Sequence, residues 1–180
     1  MKRLLILTLT IIFSSCTSQI NTEQNNFIKD YLERLENSKK HLILVAEQIP
    51  EDKHEFKASP ESMSFAKNLM HIAWAMDWHS QTLLDGREAR DWNTDIELKV
   101  ANKSKKEMIA TITKTFHETI KLLTEFDTNK FNDRLDYLGL NRTKRQIPLL
   151  LAEHITHHRG QMLDYLRLNG MKPLRYVLYQ

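Results

Sequence analysis

Glu153-His154-Ile155-Thr156-His157-His158-Arg159-Gly160-Gln161, inside the run Leu149 to Leu168, is the part of the chain whose reading decides the fold. On a helix turning about 100° per residue, Ile147, Leu150, Leu151, Ile155, Met162 and Leu166 share one apolar face, and His154 and His158 lie in its middle. Two imidazoles therefore point into a core. Histidines at i and i+4 project side by side, the spacing that offers one metal ion two nitrogens. A buried neutral imidazole otherwise needs a hydrogen-bond partner for each ring nitrogen, and two adjacent ones double that demand. On spacing alone a hydrogen-bonded core pair and a metal-ligating pair stand as equal alternatives. His157 points about 60° away from His154 and reads as rim.

Three more helices precede this one. Phe27, Tyr31, Leu35, Leu42, Val45 and Ile49 recur at helical spacing, which predicts a helix from Asn26 to about Ile49, ended by Pro50. A charged connector leads to a second helix, roughly Ser64 to Leu84, capped by Ser62 or Ser64 and stopped by Gly86. It carries Phe65, Leu69, Ile72, Met76 and Leu83 on one stripe and Trp74, Ala75 and Trp78 on another. After a polar connector containing Trp92, expected to cover the bundle end, the third helix runs from about Ser104 to Phe126 with Met108, Ile112, Phe116, Ile120 and Leu123 inward and His117 exposed. The stretch from Thr128 to Arg142 suits a loop or a short extended crossing, and Pro148 is tolerable if the last helix starts near Thr143 or Lys144. Gly160 in mid-helix implies either a close backbone neighbour or a requirement of the site. Tyr176 and Tyr179 in the tail are expected to pack back on the helices.

His154-x-x-x-His158-Arg159-Gly160-Gln161, followed by Tyr165-Leu166-Arg167 and Gly170-x-x-Pro173, resembles the last helix of the DinB/YfiT-like proteins. Asn68-Leu69-Met70-His71-Ile72-Ala73, after Pro60-Glu61-Ser62-Met63-Ser64-Phe65, is similar to that family's second-helix motif. The resemblance implies an all-α fold, an antiparallel four-helix bundle with long connectors over residues 27–180. It also implies a three-histidine site for a divalent metal, with His71, His154 and His158 as ligands, and homodimerisation through a bundle face. Periodicity by itself slightly prefers His79 as the third ligand, because it lies nearer the aliphatic stripe; failing that, His79 reads as a surface residue or a group behind the ligands.

The N-terminus reads as an export signal. Lys2-Arg3, an apolar run from Leu4 to Phe13 and the small residues Ser14-Ser15 form a leader over residues 1–15, too short to span a bilayer permanently. Phe13-Ser14-Ser15-Cys16 resembles a bacterial lipobox, with Phe where Leu is usual, so Cys16 is expected to be lipidated. Residues 17–26 then read as a polar tether, and the protein as exported and lipid-anchored on the periplasmic or cell-surface side of a bacterial membrane. Removing Lys2 and Arg3 with the leader leaves 24 basic against 23 acidic residues, and no basic face for nucleic acid is evident. One cysteine excludes an internal disulfide. The chain has four glycines, and no phosphate-cradling loop, dinucleotide fingerprint or nucleophile elbow is present.

Three imidazoles would leave a divalent ion open to water or a small-molecule substrate, and imidazole suits Zn or Ni among others. Gln161 and Glu153 are the candidates for orienting the ligand rings, and Trp74 and Trp78 are core residues or pocket walls. The resemblance implies a metal-dependent transferase or hydrolase; the alternative is a non-catalytic metal-binding or interaction protein on the same bundle.

Overall fold

The computed structural model describes the backbone of residues 2–175 and side chains from Thr22 onward. Its four helices are α1 (Lys2–Gln48), α2 (Phe65–Asp77), α3 (Lys105–Thr124) and α4 (Gln146–Leu168). A π-helical segment, Trp78–Leu84, continues α2, and a hairpin of two short strands, β1 (Arg134–Tyr137) and β2 (Leu140–Thr143), precedes α4. The expected leader side chains, Cys16, Tyr176 and Tyr179 lie outside the described residues. No helix among the described residues is long and apolar enough to cross a membrane.

Helix starts follow local chemistry. Ser64 accepts a hydrogen bond from the Lys67 amide at the start of α2, which decides between the two candidate caps. Ser104 and Glu107 form a reciprocal capping box on α3: the Ser104 hydroxyl accepts from the Glu107 amide, and the Glu107 carboxylate accepts from the Ser104 amide at 2.8 Å. Pro148 sits in the first turn of α4, where its missing N–H has no intrahelical partner to lose. At the other end Gly170, at φ 76°, lets the chain leave the helix while the Met171 amide donates back to the Leu166 carbonyl.

α1 and α2 each pack against both α3 and α4, so α1 and α2 lie on a diagonal of the bundle. The stripes read from the sequence meet along its axis: Leu35, Leu42, Val45 and Ile49 from α1, Leu69, Ile72 and Met76 from α2, Ile112 and Phe116 from α3, and Ile147, Ile155, Met162 and Leu166 from α4 are all buried.

Three expectations change. Helix α1 does not begin at Asn26; it already runs through residues 17–26, which contain neither proline nor glycine to stop it, and Gln24 and Ile28 are buried. The stretch from Thr128 to Arg142 is a 3-10 turn (Thr128–Asn132) and then the hairpin, whose two-residue turn puts Leu138 at φ 54° and Gly139 at φ 82°. Its register pairs Tyr137 with Leu140 and Arg134 with Thr143. Gly160 has no close neighbour: a Cβ placed there would meet nothing within 4 Å. Nothing in the packing explains the glycine, so Gly160→Ala is expected to raise stability by about 1 kcal/mol through helix propensity, read from the urea midpoint at unchanged m-value.

Candidate functional site

α2 and α4 pack directly against each other, and His71 from one meets His154 and His158 from the other. The ring centroids lie 4.9 Å (His71 to His154), 4.6 Å (His71 to His158) and 4.5 Å (His154 to His158) apart. One nitrogen from each ring falls within 4.8 Å of the other two, an arrangement that could hold a metal ion. His71 Nδ1 and His154 Nε2 are buried with no hydrogen-bond partner among the described residues. Such nitrogens are costly to strand away from water, and a shared cation would satisfy them.

His158 is held differently. Its Nδ1 lies 2.7 Å from Asn68 Oδ1, while the Asn68 amide nitrogen donates to the Ser64 carbonyl at 3.0 Å. With the amide NH2 committed to a carbonyl, Asn68 can only accept from the ring, so His158 carries its proton on Nδ1 and presents a bare Nε2. The capping residue of α2 and the histidine of α4 are thereby joined through one asparagine. Sequence reasoning placed this orienting role on Gln161 or Glu153. Gln161 bonds His157 at 3.1 Å on the rim and its side chain also acts on His158 by hydrogen bonding, whereas Glu153 is exposed. The signal that could have found Asn68 is its position, a fully buried amide three residues before His71.

His79 is excluded from the cluster by its own bonds. It is 2 % exposed, so it is no surface residue, and both ring nitrogens are engaged: Nδ1 with the Ala75 carbonyl at 2.6 Å and Nε2 with the Tyr137 hydroxyl at 3.0 Å. The carbonyl can only accept, so Nδ1 bears the proton and Nε2 receives the Tyr137 O–H. Its ring stands 6.2 Å from that of His154, behind the site. The hairpin brings Tyr137 here, a contact across 58 positions that no local pattern announces. Trp78 packs against both His79 and Tyr137.

Trp92 also lies elsewhere than expected. It stands edge-on to His71 at 6.2 Å and to Trp74 at 4.6 Å, walling the site rather than the bundle end. An ion network centred on the buried Asp77 fixes the connector that carries it. Asp77, at the end of α2, pairs with Arg87 and Arg90; Arg90 also holds Asp95 at 2.6 Å and Glu97 at 3.0 Å. Asp95 in turn accepts from the Leu98 amide. Two cavities reach the histidines: one of about 610 Å³ beside His158, with Met63, Gln161 and Asp164, and one of about 290 Å³ beside His71 and Trp92.

The chain's similarities agree with this architecture. Residues 21–178 match the DinB family. This chain belongs to the DinB family. YjoA of Bacillus subtilis strain 168, an uncharacterised protein, is 26% identical over 130 residues, 70% of this chain and 80% of the relative. The crystal structure of DinB-like YjoA superposes with a TM-score of 0.66 at 20% identity, covering 84% of this chain and 97% of that one. A DinB-like protein from Bacillus cereus ATCC 10987 gives 0.64 at 19% identity, covering 85% and 97%. At these identities the superpositions show the DinB-like helical bundle as the fold.

The electrostatics of this DinB-family site favour neutral imidazoles. Burial, then the neighbouring His158 and His71, bring His154 down to about 3, and burial with His71 and His157 brings His158 down to about 4. Burial, then Lys67, lowers His71. Because the unfolded chain takes up these protons near 6.5 and the folded chain resists them, the unfolded state binds more protons in the interval between. The metal-free bundle is therefore expected to keep its full stability above about pH 6.5 and to lose it progressively as pH falls toward the depressed values. Thermal melts across that range should show a shallower slope for His154→Gln than for the parent protein.

Proposed function

We propose that His71, His154 and His158 hold a divalent ion, Zn or Ni, at an open site where this protein acts as a metal-dependent transferase or hydrolase on a small molecule. The observation that carries the reading is the pair of stranded nitrogens, His71 Nδ1 and His154 Nε2, in a triad whose His158 and His71 each line a cavity. A purely structural triad would have to pair those nitrogens with protein groups. A closed structural metal site would lack the approach that the cavities provide.

When bound, the ion would supply Lewis acidity, polarising a substrate oxygen or lowering the pKa of a group at its open position. The chain's own residues do the rest. Asn68 locks the His158 tautomer, so no proton competes for Nε2. The low affinity of the rings for protons keeps them available as ligands at neutral pH. The Tyr137 hydroxyl donates to His79 Nε2 at 3.0 Å behind His154, and Trp92 packs edge-on to Trp74 on the His71 side. The leader and Cys16 place this activity on an exported, lipid-anchored protein in the same proposal.

Elemental analysis of the purified mature chain is expected to find about one divalent ion per molecule. His71→Ala and His154→Ala should lose it, and His79→Ala, whose ring nitrogens are already committed, should keep it. Absence of any ion after reloading with zinc or nickel would overturn the proposal. An ion without turnover across esters, amides and thiol acceptors would leave a non-catalytic metal-binding protein. For the anchor, cell fractionation should move the protein from the membrane to the soluble exported fraction in Cys16→Ser, and an unchanged distribution would count against lipidation.

A further inference from the structure

We propose that the cavity between Lys67, His71, Trp92, Leu98 and Lys99 is an anion subsite that binds the carboxylate of a small substrate with an apolar body. The histidine triad leaves this cavity unassigned, although His71 forms part of its wall. Lys67 lies one helical turn before His71 on the same face of α2, and both residues line the cavity. Lys99 arrives from the connector with its ammonium 5.1 Å from the centroid of the Trp92 ring. No carboxylate lines the cavity, and among the described residues neither lysine forms an ion pair. Lys99 is within reach of a carbonyl only, that of Asn93 at 3.4 Å.

The remaining wall is apolar: Met70, Leu98 and the indole of Trp92. The wall is also built rather than loose, because Asp95 anchors the Leu98 amide at 3.0 Å and is itself held by Arg90. Two lysines without a carboxylate partner beside an apolar, aromatic wall select a carboxylate attached to a hydrocarbon body. A volume of about 290 Å³ limits that body to a small acid, or to the acidic end of a larger molecule. The cavity on the other side of the triad carries Glu61 and Asp164 and would repel the same group. The far end of the ligand reaches the ion beside His71; that part alone rests on the metal reading above.

The test uses 3-phenylpropionate and its neutral isostere 3-phenylpropionamide against the mature chain, metal-free and zinc-loaded, with calorimetry and tryptophan fluorescence as readouts. The acid is expected to bind the metal-free protein about tenfold more tightly than the amide and to quench tryptophan emission, a response absent in Trp92→Phe. Lys67→Met and Lys99→Met, both at accessible positions, should each weaken the acid several-fold, leave the amide unchanged and take up zinc normally. Equal affinity for acid and amide, or no loss in either lysine variant, would overturn the subsite. No binding of the acid by a protein that loads zinc normally would overturn the subsite and leave the metal site standing. Acid binding by a chain that takes no zinc would establish the subsite and sink the metal reading.

Discussion

Three neutral imidazoles in the wall of an apolar bundle set the terms for the rest of the molecule. His71 and His154 are half-buried and His158 is buried, and a nitrogen that leaves water must bond or remain costly. The contact of α2 with α4 brings the three rings within 4.9 Å of one another, so any shift between those helices would change all three distances. The core on either side, Leu69 and Ile72 against Ile155 and Met162, is close-packed and fully buried, which is what denies that shift. A hydrophobic constraint thus positions a polar site.

The connectors complete what the helices begin. The π-helical turn after α2 carries His79 and Ser80 inward; Ser80 donates to the Met76 carbonyl and meets Thr119 of α3 at 3.1 Å. Such turns break the regular helical ladder and recur at functional positions. Tyr137 from the hairpin then satisfies His79, and the Asp77 network fastens the segment bearing Trp92 over His71. Asp77 is almost fully buried and is met by two guanidinium groups, the pairing a desolvated carboxylate needs. The irregular segments are therefore tied to the same two helices that hold the triad.

Neutral histidines also link the site to its surroundings. The depression of His154 and His158 has burial as its largest cause, so it belongs to the helix packing and not to a single contact. The same packing that makes protonation unfavourable leaves lone pairs free for a ligand. Lys67, near His71, adds positive charge on the side where the smaller cavity opens.

Periodicity and capping chemistry determined the four helices, their buried faces and the start at Ser104, and narrowed the start of α2 to Ser62 or Ser64, because these depend on residues within one or two turns of each other. The spacing of His154 and His158 likewise announced a pair on one inward face. The second-helix motif pointed to His71, which the packing of α2 on α4 brings to that pair, whereas spacing alone leaned toward His79. The difference is one of bonding: His79 lies on a buried face too, but its nitrogens are taken by Ala75 and by Tyr137 from a distant hairpin. Asn68 bonds across 90 positions to His158, and Trp92 reaches His71 by way of a connector held in an ion network. Residues 17–26 read as a tether because polarity hides helix continuity, and Gly160 suggested a close neighbour that is not there. What a residue does within its own helix was written locally; which nitrogen, carbonyl or indole it meets was decided only when segments far apart in the chain packed together.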